Sequence, residues 1–279
     1  MGLRRSIYKS PAQLRAMIEP GLITAAALDA ARALIAPGVT TGELDAAASA
    51  VITSRGAVSN FQMVRGYRHT ICASVNEQVV HGIPGARVLE PGDIVSIDAG
   101  AEFKGWNGDS AFSLVIPDPS RPDVVAARQR LSDVTEGSLW AGIAALASAK
   151  RLGEIGTAVQ EHIETHAPEG GYGILRDYVG HGIGRKMHES PSVFNYRVSD
   201  PGPEVRPGLV LAIEPMVVIG DQETLIEDDD WTVSTVDGTA GAHWEHSVAV
   251  HDGGIWVLTA PDGGAAGLAP FGVTPVAID

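Results

Sequence analysis

Two stretches decide the fold: Pro91-Gly92-Asp93-Ile94-Val95-Ser96-Ile97-Asp98 and Pro207-Gly208-Leu209-Val210-Leu211-Ala212-Ile213-Glu214. In each, a Pro-Gly turn launches a short apolar run that ends in a carboxylate, the pattern of a buried strand. The flanks repeat as well. Upstream of each run stands a His-x-x-Pro, His81-Gly82-Ile83-Pro84 and His188-Glu189-Ser190-Pro191. Downstream of each lies a second carboxylate that opens another strand, Asp109-Ser110 and Glu245-His246-Ser247. A chance echo of eight residues would not bring His and carboxylate partners in the same order. The chain therefore reads as a duplicated half with pseudo-twofold symmetry, its two acidic strand ends facing one centre.

Further out, the periodicity alternates between helix and strand. Ser10 and Pro11 predict a helix start, and Leu14, Met17, Ile18, Leu22, Leu28, Leu34 and Ile35 recur at helical spacing. Pro20-Gly21 is expected to break or kink that run. Thr41 is expected to cap a second helix. Val58–Val64, His69–Val75, Ile94–Ala99 and Phe112–Ile116 read as strands, and 121–149 and 153–166 as helices. Leu209–Ile219, Trp231–Val236, Ser247–His251 and Ile255–Thr259 read as strands again. Helices then strands, twice over, predict an α+β fold. We expect one domain over 1–279, with a helical N-terminal segment 1–56, halves at about 57–150 and 151–260, and a tail 261–279.

Composition narrows the function classes. The 279 residues carry 34 Asp and Glu against 20 Lys and Arg, a formal charge of −14. That balance argues against a nucleic-acid partner, since phosphate contacts need clustered cations. The one cysteine, Cys72, excludes an internal disulfide framework and fits a reducing compartment. No apolar run reaches the roughly 20 residues of a membrane helix, because Asp29 and Arg32 interrupt the Ala-rich stretch. Arg4-Arg5 precede no apolar segment, so a signal peptide is not expected. Met1-Gly2 with Ser6 matches a myristoylation pattern, which we read as coincidence. A soluble, cytoplasmic protein without a membrane partner is the expectation.

The duplication brings together Asp98, Asp109, Glu214, Glu245, His181 and His188. Four converging carboxylates repel and cannot all ionise without cations. Two divalent ions resolve this, and a site of four carboxylates with one imidazole suits Co, Mn, Fe or Zn held roughly 3.5 Å apart. Singly, each residue has a plainer reading: a solvated turn carboxylate, a His181 that caps a glycine turn, a hydrogen-bonded core His81, a surface pair of His188 with Glu189. Jointly, their ordered repetition favours the metal centre. Glu227-Asp228-Asp229-Asp230 reads as a solvated loop.

These residues stand in motifs that resemble those of the type I methionine aminopeptidases: Asn76-Glu77-Gln78-Val79-Val80-His81-Gly82-Ile83-Pro84, Ile97-Asp98-Ala99-Gly100, Gly108-Asp109-Ser110, Gly180-His181-Gly182-Ile183-Gly184, Met187-His188-Glu189, Ile213-Glu214-Pro215-Met216 and Glu245-His246-Ser247. The likeness runs in order from about residue 10 to 260. It implies the pita-bread fold, two αβ halves around a dinuclear metal centre. It further implies that Asp98 chelates one metal, His181 and Glu214 the other, and that Asp109 and Glu245 bridge both. His81 would contact the scissile amide or free amine, and His188 the carbonyl oxygen, while a metal-bridging hydroxide attacks and Glu214 handles its proton. The implied reaction removes the initiator methionine from nascent polypeptides and peptides when the second residue is small, at the ribosome or free of it, by a monomeric enzyme.

Tyr67, Cys72 and Trp231 fall on that family's methionine-pocket positions, with Met187 in place of the usual Phe. Arg68 replaces a common Pro, Val80 a frequent Cys, and His243-Trp244 the Gln-aromatic pair before Glu245. Prolidase-type peptidases share the five ligands but usually carry a further N-terminal domain. The second methionine aminopeptidase type has an insertion for which the 26 positions from His188 to Glu214 leave no room. A non-catalytic binding module on this fold would lose ligands and gain basic surface. A calcium-stabilised acidic cluster would not account for three histidines.

Overall fold

The computed structural model describes residues 6–279, so the readings of Met1-Gly2 and Arg4-Arg5 lie outside the described residues. Helix α1 (Pro11–Leu34) starts at Ser10, whose amide donates to the Gln13 side chain at 2.9 Å. The break expected at Pro20-Gly21 does not occur, and α1 runs through both residues. Gly21 explains the pair. A Cβ there would run into the Leu258 carbonyl, and Gly108 of the sheet abuts the Gly21 backbone from below. The glycine is a close-approach point between helix and sheet, and Thr24 Oγ1 donates to the Pro20 carbonyl at 2.9 Å. Helix α2 (Thr41–Ser54) is capped one residue earlier than expected, by Thr40, whose hydroxyl accepts from the Glu43 amide at 3.3 Å.

The first half continues with β1 (Val58–Ser59), β2 (Ile71–Val75), β3 (Gln78–Val80), β4 (Ile94–Phe103) and β5 (Trp106–Val115). The strand expected over Val58–Val64 is cut short because Phe61–Met63 turn into a 3-10 helix. Ile94–Ala99 and Phe112–Ile116 prove to be the far ends of one long hairpin, β4–β5. Lys104 and Gly105 close it, both with positive φ (52° and 79°), as a tight two-residue turn requires.

Helices α3 (Pro122–Leu146) and α4 (Gly153–His166) follow, then β6 (Gly173–Ile174), β7 (Gly180–Gly182), β8 (Glu189–Val193), β9 (Val210–Ile213), β10 (Met216–Val218), β11 (Thr224–Ile226), β12 (Val233–Thr235), β13 (Gly241–His243), β14 (Glu245–His251) and β15 (Gly254–Val257). The single strand expected over Leu209–Ile219 is two. It divides at Glu214-Pro215, where proline offers no amide to the ladder, and β10 leaves for a small sheet with β6 and β13.

The main sheet runs β2-β4-β5-β14-β9-β7-β8, antiparallel throughout, with β1 on the same edge of β4 as β2 and β15 on β14. Its centre is the β5–β14 pairing, with Glu245 opposite Ala111 and His246 opposite Ser110. Outward from that seam the two echo strands, β4 and β9, take equivalent places. One helix pair precedes each set of strands.

Side chains alternate across the sheet. Ile97, Phe112, Leu211, Ile213 and Val248 point into the helix-covered core with Ile23, Leu139 and Ile143, all 2% exposed or less. Asp98, Asp109 and Glu245 occupy the intervening positions and face the other way. Each large apolar side chain so buried contributes about 1.5–3 kcal/mol, which offsets the desolvation of polar groups on the opposite face. No helix among the described residues is long and apolar enough to cross a membrane. The tail packs back on the sheet, with the Val276 amide on the Ile255 carbonyl at 3.0 Å and Leu268 fully buried.

Gly21→Ala is expected to lower the unfolding free energy by about 1–3 kcal/mol, since the added methyl overpacks the helix–sheet contact. Gly85→Ala, where a Cβ meets open space, should stay within about 0.5 kcal/mol of the parent. Urea unfolding of the two variants beside the parent measures both.

Candidate metal centre

Asp98 lies mid-strand on β4 with Cys72 and Ala111 as cross-strand neighbours. Asp109 sits on β5 opposite Gly100, Glu245 opens β14, Glu214 follows β9, and His181 occupies the middle of β7 opposite Ala212. The strand period puts all five on the face away from the helices. Ligand-type atoms of Asp98, Asp109 and Glu245 come within 4.8 Å of one another, as do those of His181, Glu214 and Glu245, and those of Asp109, His181 and His188. Asp109, His181 and Glu245 each belong to two of these triplets and so link them.

His181 Nε2 stands 3.5 Å from Glu214 Oε1 and 3.9 Å from Asp109 Oδ2. Its Nδ1 is 3.0 Å from the Gly182 carbonyl. That contact makes Nδ1 the protonated nitrogen and leaves the Nε2 lone pair facing the carboxylates.

The electrostatics are unfavourable without added positive charge. Asp109 is 3% and Glu245 2% exposed, and Asp98 Oδ1, Asp109 Oδ1 and Glu245 Oε1 have no hydrogen-bond partner. Burial pushes all four carboxyls above the usual range; the charges of their neighbours push Asp109, Glu214 and Glu245 further. Among the described residues no Lys or Arg pairs with any of them. The imidazoles cannot substitute, because burial lowers His81 and His181 to about 4 and both are neutral near pH 7. Unpartnered buried oxygens, like charges and a neutral imidazole lone pair make a donor set that fits divalent cations and little else.

His81 follows β3 with φ at 60°, a left-handed backbone rare outside glycine, and its ring meets Tyr178 edge-on at 5.8 Å. His188 is at the exposed rim, its ring perpendicular to that of His181 with centroids 4.4 Å apart. Between them opens a cavity of about 480 Å³ lined by His81, Tyr178, His181, His188, Glu214 and Met216.

The four expected pocket residues also come together. Tyr67 and Cys72 are buried in one apolar cluster with Phe61, and Met187 and Trp231 pack against it. The Tyr67 ring meets Trp231 edge-on at 5.1 Å, and its hydroxyl donates to the Ile71 carbonyl at 2.6 Å. Burial pushes the Cys72 thiol well up, so it behaves as a small apolar group rather than a nucleophile. The Cys72–Asp98 register sets this pocket against the acidic cluster. Phe61, Val64 and Ile83 complete it unforeseen. Ile83 had a signal in the repeated His-x-x-Pro, whereas Phe61 and Val64 lie in the stretch read as a strand. Tyr178 had none. The Glu227–Asp230 run is a turn, with Asp229 Oδ1 accepting from the Trp231 and Thr232 amides at 2.8 and 2.7 Å.

The family model for metallopeptidase family M24 matches residues 15–252. The methionine aminopeptidase 1 of Mycobacterium tuberculosis is 46% identical over 263 residues, covering 92% of this chain and 96% of the relative. The methionine aminopeptidase 1 of Bacillus subtilis is 42% identical over 253 residues, covering 91% and 98%. Among solved structures, the methionine aminopeptidase of Thermotoga maritima superposes with a TM-score of 0.83 at 36% identity, covering 90% of this chain and 98% of that one. The pita-bread architecture, the acidic cluster and these likenesses agree: the chain belongs to metallopeptidase family M24, and within it to the methionine aminopeptidases.

Proposed function

We propose that the chain removes the N-terminal methionine of polypeptides by metal-dependent hydrolysis of the first peptide bond. The observation that carries this reading is the Cys72–Asp98 register, which joins a sulfur- and aromatic-lined pocket directly to the acidic cluster. A thioether is well matched to such a lining. Asp98, Asp109, His181, Glu214 and Glu245 would hold two divalent ions, of Co, Mn, Fe or Zn. Bound there, the ions supply Lewis acidity toward the scissile carbonyl and a water of lowered pKa.

The chain's own groups do the rest. Tyr67, Cys72, Met187 and Trp231 grip the methionine side chain and keep water from it. His188, neutral at the rim, donates to the scissile carbonyl oxygen as charge gathers there. His81, held neutral by burial, contacts the amide or the free amine. Glu214 accepts a proton and delivers it to the leaving amide nitrogen. The cavity beside His81 and Met216 receives the second residue, and the preference for a small one is what the likeness to the methionine aminopeptidases implies. We extend the reading to nascent chains as substrates, at the ribosome or released from it, to a single monomeric catalytic unit and to the cytoplasm, where a lone buried cysteine is at home.

Protein stripped of metal and reconstituted with Mn, Co, Fe or Zn is expected to release methionine from Met-Ala-Ser, and to leave Met-Lys-Ser and Ala-Pro-Ser intact. Asp109→Ala should abolish release. Turnover of Ala-Pro-Ser alone would favour the prolidase reading, and no turnover with any metal would sink the peptidase reading.

Metal-free protein should also lose stability as pH rises from about 7 to 8.5. The four carboxyls titrate higher in the folded than in the unfolded chain. Their protonated forms therefore favour the fold, an advantage complete below the unfolded value near 4 and lost as pH climbs through the folded values. The lowered histidines act in the opposite sense, but only below about pH 6.5, so they do not mask the alkaline loss. Added divalent metal should raise the melting temperature more at pH 8.5 than at pH 7. An equal rise at both would contradict the assignment of the carboxylates as ligands.

A further inference from the structure

His243 ends β13 beside the site and is 1% exposed, yet its Nε2 has no hydrogen-bond partner among the described residues. Its backbone is fixed from the floor of the site. Ser113 Oγ accepts the His243 amide at 2.9 Å and the His243 carbonyl lies 2.9 Å from that same hydroxyl, which is itself 2.8 Å from Ser96 Oγ. Ser96 and Ser113 belong to β4 and β5, the strands that carry Asp98 and Asp109. The opposite strand, β10, pairs Met216 with His243. The backbone is thus gripped from two sides, and the buried Nε2 of the imidazole points at a carboxylate, 3.7 Å from Glu214 Oε2.

Glu214 is thus straddled, with His181 on Oε1 at 3.5 Å and His243 on Oε2 at 3.7 Å. Its own backbone carbonyl accepts from Asn195 Nδ2 at 3.0 Å, so the main chain of both partners is held. The gap exceeds ordinary N–H···O reach by roughly half an ångström, which a small rotation of the Glu214 side chain closes. Such contacts are often long in unliganded sites and tighten on loading.

We propose that His243 is a positioning residue: its Nε2–H donates to Glu214 Oε2 and turns the other oxygen toward His181 and the metal site. A side-chain N–H fixing the outer oxygen of a ligating carboxylate sharpens that ligand's orientation, and loss of such a partner typically weakens metal affinity or activity 10–100-fold. The inference rests on Glu214 being the ligand and proton carrier proposed above.

The test compares His243→Gln, which keeps an N–H donor, with His243→Leu, which fills space without one. Two readouts are taken on full-length protein: Co(II) affinity with the visible absorption of the Co(II) form, and kcat and KM on Met-Ala-Ser. His243→Leu is expected to bind Co(II) roughly tenfold more weakly with an altered spectrum, and to lose kcat by roughly tenfold or more with KM within about threefold. His243→Gln should recover most of both. Should His243→Leu not fold, His243→Ala, likewise without a donor, takes its place.

Wild-type Co(II) affinity and kcat in the donor-free variant would overturn the proposal. So would equal impairment of folded Gln and donor-free variants, which would mean ring packing alone. Absence of methionine release by the parent, with Co(II) binding still separating Gln from Leu, would defeat the peptidase reading and leave the positioning role standing.

Discussion

Four carboxylates of one sign, shut away from water on one face of a sheet with no Lys or Arg among the described residues to pair them, are the constraint on which the rest of the structure depends. Such an arrangement is tolerable only if protons or cations neutralise it. Everything nearby is consistent with cations. The histidines are driven neutral by burial, so they offer lone pairs instead of adding charge. His181 has its tautomer fixed by Gly182. The strand register brings Asp98, Asp109 and Glu245 to one spot, because Asp98 and Glu245 both stand opposite Ala111 from either side of β5, and Asp109, two residues along on the same face, is their diagonal neighbour.

The opposite face of the sheet explains how the chain tolerates that cluster. Strands β4 and β9 are apolar at every second position, β5 and β14 nearly so (Ser110 and His246 pair there), and α1 and α3 cover that side. The contact at Gly21 lets α1 lie close enough to seal it. An alternation of period two thus makes one layer into both a core and a reaction site. The duplicated topology supplies two acidic strands from each half to a seam at β5–β14, so the Asp98–Asp109–Glu245 triplet draws on both halves, while His181, Glu214 and Glu245 come from the second alone.

The apolar cluster beside the acidic one is assembled from different material. The apolar pocket draws Phe61 and Tyr67 from an irregular segment, Cys72 from β2, and Met187 and Trp231 from loops of the second half. Hydrophobic contact is non-directional, so these residues need only arrive together, whereas the ligands must arrive at a given register.

Sequence alone determined the duplication, the α+β class, the echoed apolar strands that carry Asp98 and lead into Glu214, and the candidate ligand and pocket residues, because an echo of turns, alternation and chemical type survives in one dimension; that β4 runs on past Asp98 to Phe103 was decided by its pairing with β5. Tertiary structure alone decided what local signals misread. Pro20-Gly21 looked like a helix terminator and is a packing contact, since the Leu258 carbonyl that demands a glycine is 237 positions away. Leu209–Ile219 looked like one strand and is two, since Pro215 cannot continue the ladder. The unpartnered nitrogen of His243 and the place of Tyr178 at the cavity wall were likewise invisible in the sequence, because both depend on which strands become neighbours, and long-range pairing is fixed by the packed whole.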